Sequence, residues 1–156
     1  METNAVMELC IQGMAAEGAG AFDEAKRLFE QAWTDREDDF DACVAAHYLA
    51  RHQITAEARL DWNERALKHA EAARDDRVDS FYPSLYLNLG NSYEEIAHSD
   101  EDYETVRRSR EFFALAAERA ETLPAGGYAD MVRSGAATGI RRADAILGAR
   151  SQPDRA

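Results

Sequence analysis

Y-L-N-L-G-N-S-Y, residues 86–93, puts aromatic or aliphatic side chains at Tyr86, Leu89 and Tyr93, with Gly90 at the centre. Spacings of three, four and seven place these residues on one face of a helix. A glycine in that stripe lets a partner helix come close, because it has no Cβ to hold the partner off. Residues 13–33, G-M-A-A-E-G-A-G-A-F-D-E-A-K-R-L-F-E-Q-A-W, show the same logic over a full helix-turn-helix unit. Gly13 is the close-approach position, Gly20-Ala21-Phe22 is the turn, and Ala25, Phe29 and Ala32 form the facing stripe of the second helix.

Working outward from these two stretches, helical periodicity is interrupted at 18–20, 37–39, 53–55, 75–80, 97–102 and 124–127. Six interruptions predict seven helices, near residues 4–17, 21–35, 40–53, 56–74, 81–97, 103–122 and 127–148, with no segment of strand alternation. Much alanine and only three prolines, Pro83, Pro124 and Pro153, agree with a helical chain.

The helices repeat. The run 86–93 resembles the first-helix signature W-x2-L-G-x2-Y of the tetratricopeptide (TPR) family, with Tyr86 in the tryptophan position, and 13–33 resembles most of one TPR unit. In the third pair Ser109, Phe113 and Ala116 stand at the spacing of Ala25, Phe29 and Ala32. Gly90 to Ser109 is 19 residues where Gly13 to Ala25 is 12, so an insertion enlarges the turn within 98–103. In the middle pair Ala46, Ala58 and Trp62 keep the spacing, but Arg65 falls where a third small residue belongs and Ala66 stands beside it. The long middle pair predicts that its second helix overhangs its neighbours. The last helix carries Tyr128, Val132, Gly135, Ala136, Ala143, Ile146 and Leu147 as an apolar or small stripe, with Arg133, Arg141 and Arg142 on other faces. This pattern suits a cap. The expected fold is therefore all-α: an α-solenoid of three TPR-like antiparallel helix pairs plus a C-terminal capping helix. It forms one domain over 1–150, with a disordered tail over 151–156.

The 156 residues carry a net charge of -12, unevenly spread. Residues 1–105 hold 9 Lys and Arg against 24 Asp and Glu, whereas residues 106–156 hold 9 against 6. An acidic body repels phosphate backbones, which argues against nucleic-acid binding. No apolar run reaches the roughly 18 residues of a membrane span, and Glu2 and Glu8 stand where a signal peptide would carry basic residues. The expectation is a cytoplasmic protein. Cys10 and Cys43 lie inside predicted helices without a CxxC partner and are read as reduced, small apolar residues.

The TPR resemblance implies binding through the first helices of the pairs. Carried onto this chain, the lining is Met7, Cys10, Met14 and Glu17; Cys43, His47, Ala50 and Arg51; and Ser84, Leu87, Asn88, Asn91 and Glu94. Asn91 follows Gly90, where TPR proteins that grip extended peptides often place an asparagine, whose amide both donates and accepts. The family's carboxylate clamp is not matched, because Arg51 is the one secure cation and no lysine lies in a first helix. The groove residues expected to hold a protein or peptide segment are thus His47, Arg51, Ser84, Asn88, Asn91, Glu94, Met14 and Glu17.

Segments 47–53 (H-Y-L-A-R-H-Q) and 81–90 (F-Y-P-S-L-Y-L-N-L-G), with Asp61-Trp62-Asn63, also resemble a group of short bacterial TPR-like proteins, a likeness that brings no activity with it. His47, Arg51, His52, Trp62, Asn63, His69, Tyr82, Tyr86 and Asn88 could line a pocket for a small anion or nucleotide. The preferred reading is that Trp62 and the tyrosines are packing residues between repeats and the histidines satisfy helix ends and turns. No HExxH, GxSxG, P-loop or EF-hand pattern is present, and His47 and His52 at i,i+5 do not share a face for a metal.

A noncatalytic scaffold or adaptor with a protein or peptide partner, no cofactor and no metal is the leading expectation. A small-molecule-binding protein or an enzyme using His47, Arg51, Tyr82 and Tyr86 is the alternative. A homodimer through the alanine- and glycine-rich helix 127–148 is a third possibility.

Overall fold

The computed structural model describes residues 4–98 and 101–150; the expected tail at 151–156, and Ser99 and Asp100 of the acidic turn, lie outside the described residues. Among these residues the chain is all-α, with seven helices and no strand: α1 Ala5–Gly18, α2 Phe22–Asp35, α3 Asp39–Ala50, α4 Ala56–Ala73, α5 Tyr82–Ile96, α6 Tyr103–Ala120 and α7 Gly127–Arg150. A single 3₁₀ turn, Asp76–Val78, follows α4. The helices fall into two compact units, one up to Asp79 and one from Ser80 onward. Within each, a helix rests mainly on its neighbours in sequence, the packing habit of a helical solenoid.

Local chemistry sets the helix starts. The side chains of Asn4, Asp38, Thr55 and Asp102 accept from the backbone N–H three residues on, at Met7, Asp41, Ala58 and Thr105, satisfying donors that the first turn leaves open. Pro83 stands in the first turn of α5, where no backbone donor is needed. α3 and α6 stop earlier than periodicity predicts, at Ala50 and Ala120 rather than 53 and 122. In both, i→i+3 hydrogen bonds tighten the exit: His52 N–H and Gln53 N–H donate to the Leu49 and Ala50 carbonyls, and Thr122 N–H to that of Arg119.

In the first unit α1 pairs with α2 and α3 with α4, while α2 and α3 join the pairs. Gly13 is buried against Phe29, so close that a Cβ there would fall inside 3.0 Å of the ring. α3 is buried over nearly every turn, from Phe40 to Ala50, as expected of a helix apolar on all sides. α4 departs from the expected register. Its buried residues are Asn63, Ala66 and Ala70, whereas Ala58 and Trp62 are half-buried and Arg65 is exposed. The reason is aromatic: Trp62 turns its ring edge-on to Trp33 at 4.9 Å, and the Arg65 guanidinium lies 4.7 Å over Trp62. Ala66 thereby takes the small-residue place next to Arg65. α4 has 18 residues against 12 in α3, an excess of about 9 Å at the helical rise.

In the second unit α5 and α6 form the pair and α7 lies on both, chiefly on α6. Phe113 of α6 is fully buried between two glycines, Gly90 of α5 and Gly139 of α7; a Cβ on Gly90 would sit 2.6 Å from the ring and one on Gly139 closer still. Ser109 donates to the Gly90 carbonyl at 2.7 Å, one helical turn away. Leu87, Ala116, Ala120, Val132 and Ala136 complete this core. The expected stripe on α7 holds at Val132, Ala136 and Ala143, and Ala129 and Gly139 join it. Ion pairs flank the helix: Arg142 with Glu94, Arg110 with Asp144, and Arg133 with Glu121. Among the described residues no helix is long and apolar enough to cross a membrane.

The two glycines of α7 make opposite predictions. Gly139→Ala should lower the unfolding free energy by about 1–3 kcal/mol, because Phe113 has to shift. Gly148→Ala, with nothing within 4 Å, should raise it by about 0.5–1 kcal/mol through helix propensity. Urea denaturation followed by circular dichroism checks both.

Candidate functional site

In the first unit the end of α1 meets the exit of α3 at a charged cluster. Arg51 Nη2 donates to Glu17 Oε2 at 2.7 Å, and His52 Nε2 lies 2.7 Å from Glu17 Oε1. One carboxylate thus holds two basic side chains from consecutive residues, which the tightened exit of α3 turns to the same side. The Arg51 guanidinium also lies 4.9 Å over the Tyr48 ring, and Tyr48 stacks on Phe29 at 5.2 Å. His52 is tucked beside Phe29. Met14 and Ile11, one and two turns before Glu17, are exposed. Glu17 and Arg51 are therefore joined, with Arg51 about half exposed, and Met14 is exposed on the same helix as Glu17.

His47 takes a different place. It is 8% exposed, with its ring against Tyr48. Burial first, and the charge of Arg51 second, pull its imidazole down to about 4. It is neutral at physiological pH and cannot supply the groove with a cation. Cys10 and Cys43 are likewise interior, and burial pushes both thiols up to about 12, which makes them packing residues rather than nucleophiles.

A second cluster in the first unit joins the ends of α2 and α3 to α4. Trp33 meets Trp62 edge-on and His69 at 5.9 Å, the Arg36 guanidinium lies 3.9 Å over Trp33, and His69 Nδ1 is 2.8 Å from Asp39 Oδ1. Trp62 and His69 are helix-packing residues here. Asn63, the third member of that segment, is buried in α4.

In the second unit α7 engages the binding face expected of α5. The Tyr128 hydroxyl lies 3.0 Å from Ser84 Oγ and 3.0 Å from the Ser80 carbonyl. Leu87 is buried under Gly135. Glu94 accepts from both Arg142 Nε and Nη2, at 2.9 and 2.8 Å. Ser84 and Glu94 are therefore held within the molecule, and of the expected asparagines Asn91 is exposed and Asn88 half-buried. The physical reason is that a helix following α6 buries its stripe by lying on both members of the preceding pair. Tyr82 and Tyr86 pack on each other at 5.6 Å, Tyr86 on Phe112, and Arg119 lies over Tyr82. They form an aromatic seam between α5 and α6.

Beside the Glu94–Arg142 pair the three helices leave a cleft of about 270 Å³, with walls from Ala97, Val106, Ala143 and Ile146. Sequence reasoning missed it, since its two charges are 48 residues apart. The signal that was present is the insertion before α6, which lies next to Ala97 and Val106. The described residues contain no group of three or more His, Cys, Asp or Glu placed to hold a metal.

Because folding depresses the pKa of His47, the unfolded chain binds the proton more readily between the two values. Stability is complete above about pH 6.5 and declines as pH falls toward 4, by about 3 kcal/mol from this residue. His47→Gln should flatten that decline in urea midpoints measured from pH 7.5 to 4.5.

In comparison with known proteins the chain matches no family model, no curated protein and no solved structure.

Proposed function

We propose that this chain is a noncatalytic binding scaffold of TPR-like helix pairs that holds an extended segment of a partner protein in the cytoplasm. Two packings support the TPR-like reading. Gly13 and Gly90, the close-approach positions that the resemblance marks, each lie against a ring of the following helix, Phe29 and Phe113, so the same packing recurs in both units.

The observation that carries the binding reading is the surface made by α1 and the exit of α3. Met14, 36% exposed, offers a soft apolar contact. One turn on, Glu17 fixes Arg51, whose guanidinium has five N–H donors and gives one to Glu17. A guanidinium held in place by a carboxylate and an aromatic ring loses little freedom when it donates to a peptide carbonyl or carboxylate.

Selection of random peptides on the purified protein, followed by fluorescence anisotropy, tests the proposal. Arg51→Ala and Met14→Asp should each weaken the selected peptides at least about tenfold, with the helical circular dichroism unchanged. Peptides that bind both Arg51→Ala and Met14→Asp as tightly as the parent would overturn it.

A further inference from the structure

The C-terminal half of α7 is small where it faces the helices beneath it. Ala143 is 3% exposed, and the space that a larger side chain would fill is part of the cleft of about 270 Å³. Its walls are the methyl-bearing side chains of Ala97, Val106, Ala143 and Ile146. Ser109 also lines the cleft, but its hydroxyl donates to the Gly90 carbonyl. The charged groups in the lining are Glu94 and Arg142, which are half-exposed and so stand at the mouth.

An apolar recess with one matched ion pair at its mouth discriminates by charge. A simple anion meets Arg142 but lies against the Glu94 carboxylate, and a simple cation meets the reverse problem. A molecule bearing both charges on one carbon is complementary to both. Neither side chain has to leave the other. Arg142 uses two of its five N–H donors on Glu94, and each Glu94 oxygen accepts one of them while a carboxylate has about four lone-pair sites. The volume lies just under the roughly 300–1,000 Å³ of sites for drug-sized ligands, which suits a molecule of single-residue size.

We propose that this cleft binds a free aliphatic α-amino acid of about leucine size. Its ammonium sits on Glu94, its carboxylate on Arg142, and its branched side chain against Val106, Ala143 and Ile146. The site lies within the second unit, and the interior of a peptide, lacking both charges, does not fit it.

Thermal unfolding of the whole protein with defined probes tests the assignment. L-Leucine in about tenfold excess over its Kd should raise Tm by about 4 °C. Leucinamide, without the carboxylate, and 4-methylpentanoate, without the ammonium, should give less than a third of that at equal concentration. Ala143→Leu fills the recess and should abolish the response while leaving Tm unchanged or higher. Arg142→Gln, at the half-exposed mouth, should abolish it without disturbing the core, so the test does not depend on Ala143→Leu folding. The proposal is overturned if leucine, isoleucine, valine and methionine all leave the parent Tm unmoved, if 4-methylpentanoate matches leucine, or if a folded Arg142→Gln or Ala143→Leu protein responds like the parent.

Discussion

Phe113 occupies a space that exists because two other residues have no side chain. Gly90 on one side and Gly139 on the other let three helices close around a single ring, and the Ser109 hydroxyl ties α6 to the backbone of α5 one turn away. Phe29 packs likewise on Gly13 in the first unit, with Tyr48 stacked on it. These contacts are steric before they are energetic. A ring fully withdrawn from water contributes a few kcal/mol of hydrophobic stabilisation, but only if nothing holds the helices apart. The short turns, the alternating small and large stripes and the position of α7 all follow from meeting that condition.

Polar side chains accommodate the same close packing at its edges. Where helices meet tightly, the exposed flanks carry charge pairs that span them: Glu17 with Arg51, Glu94 with Arg142 and Asp144 with Arg110. Exposed pairs of this kind add little stability singly. Their importance here is geometric, because each fixes the direction of a cation beside an apolar surface. At Arg51 that surface is Met14, and at Arg142 it is the cleft under Ala143. Both surfaces therefore set a carboxylate-held guanidinium beside an apolar contact.

The middle pair shows how local chemistry overrides a repeat. Trp62 has the spacing of the ring positions in the other pairs, yet it is not the residue that α4 buries. Trp33, at the end of α2, offers it an edge-to-face partner, and Arg65 covers it. The helix turns by one residue, Asn63 and Ala66 go inside, and His69 reaches Asp39. The length of α4 accommodates this shift without lengthening α3.

The sequence by itself determined that the chain is helical, how many helices it has, nearly where each begins and ends, and that Gly13 and Gly90 are close-approach positions. All of these depend on local periodicity, capping side chains and fixed spacing, which are properties of short stretches. Tertiary structure decided the fate of the polar residues. His47 and Ser84 lie on the expected first-helix positions, but one is buried and uncharged and the other is bound by Tyr128. Periodicity tells which way a side chain points along its own helix and not what another helix has laid over it. Glu94 and Arg142 form the mouth of a cleft because α7 crosses α5 at that height, and no spacing along the chain encodes a contact between residues 48 positions apart. The fold was legible because its rules are local; the sites were legible only in part, because a site is made where distant segments meet.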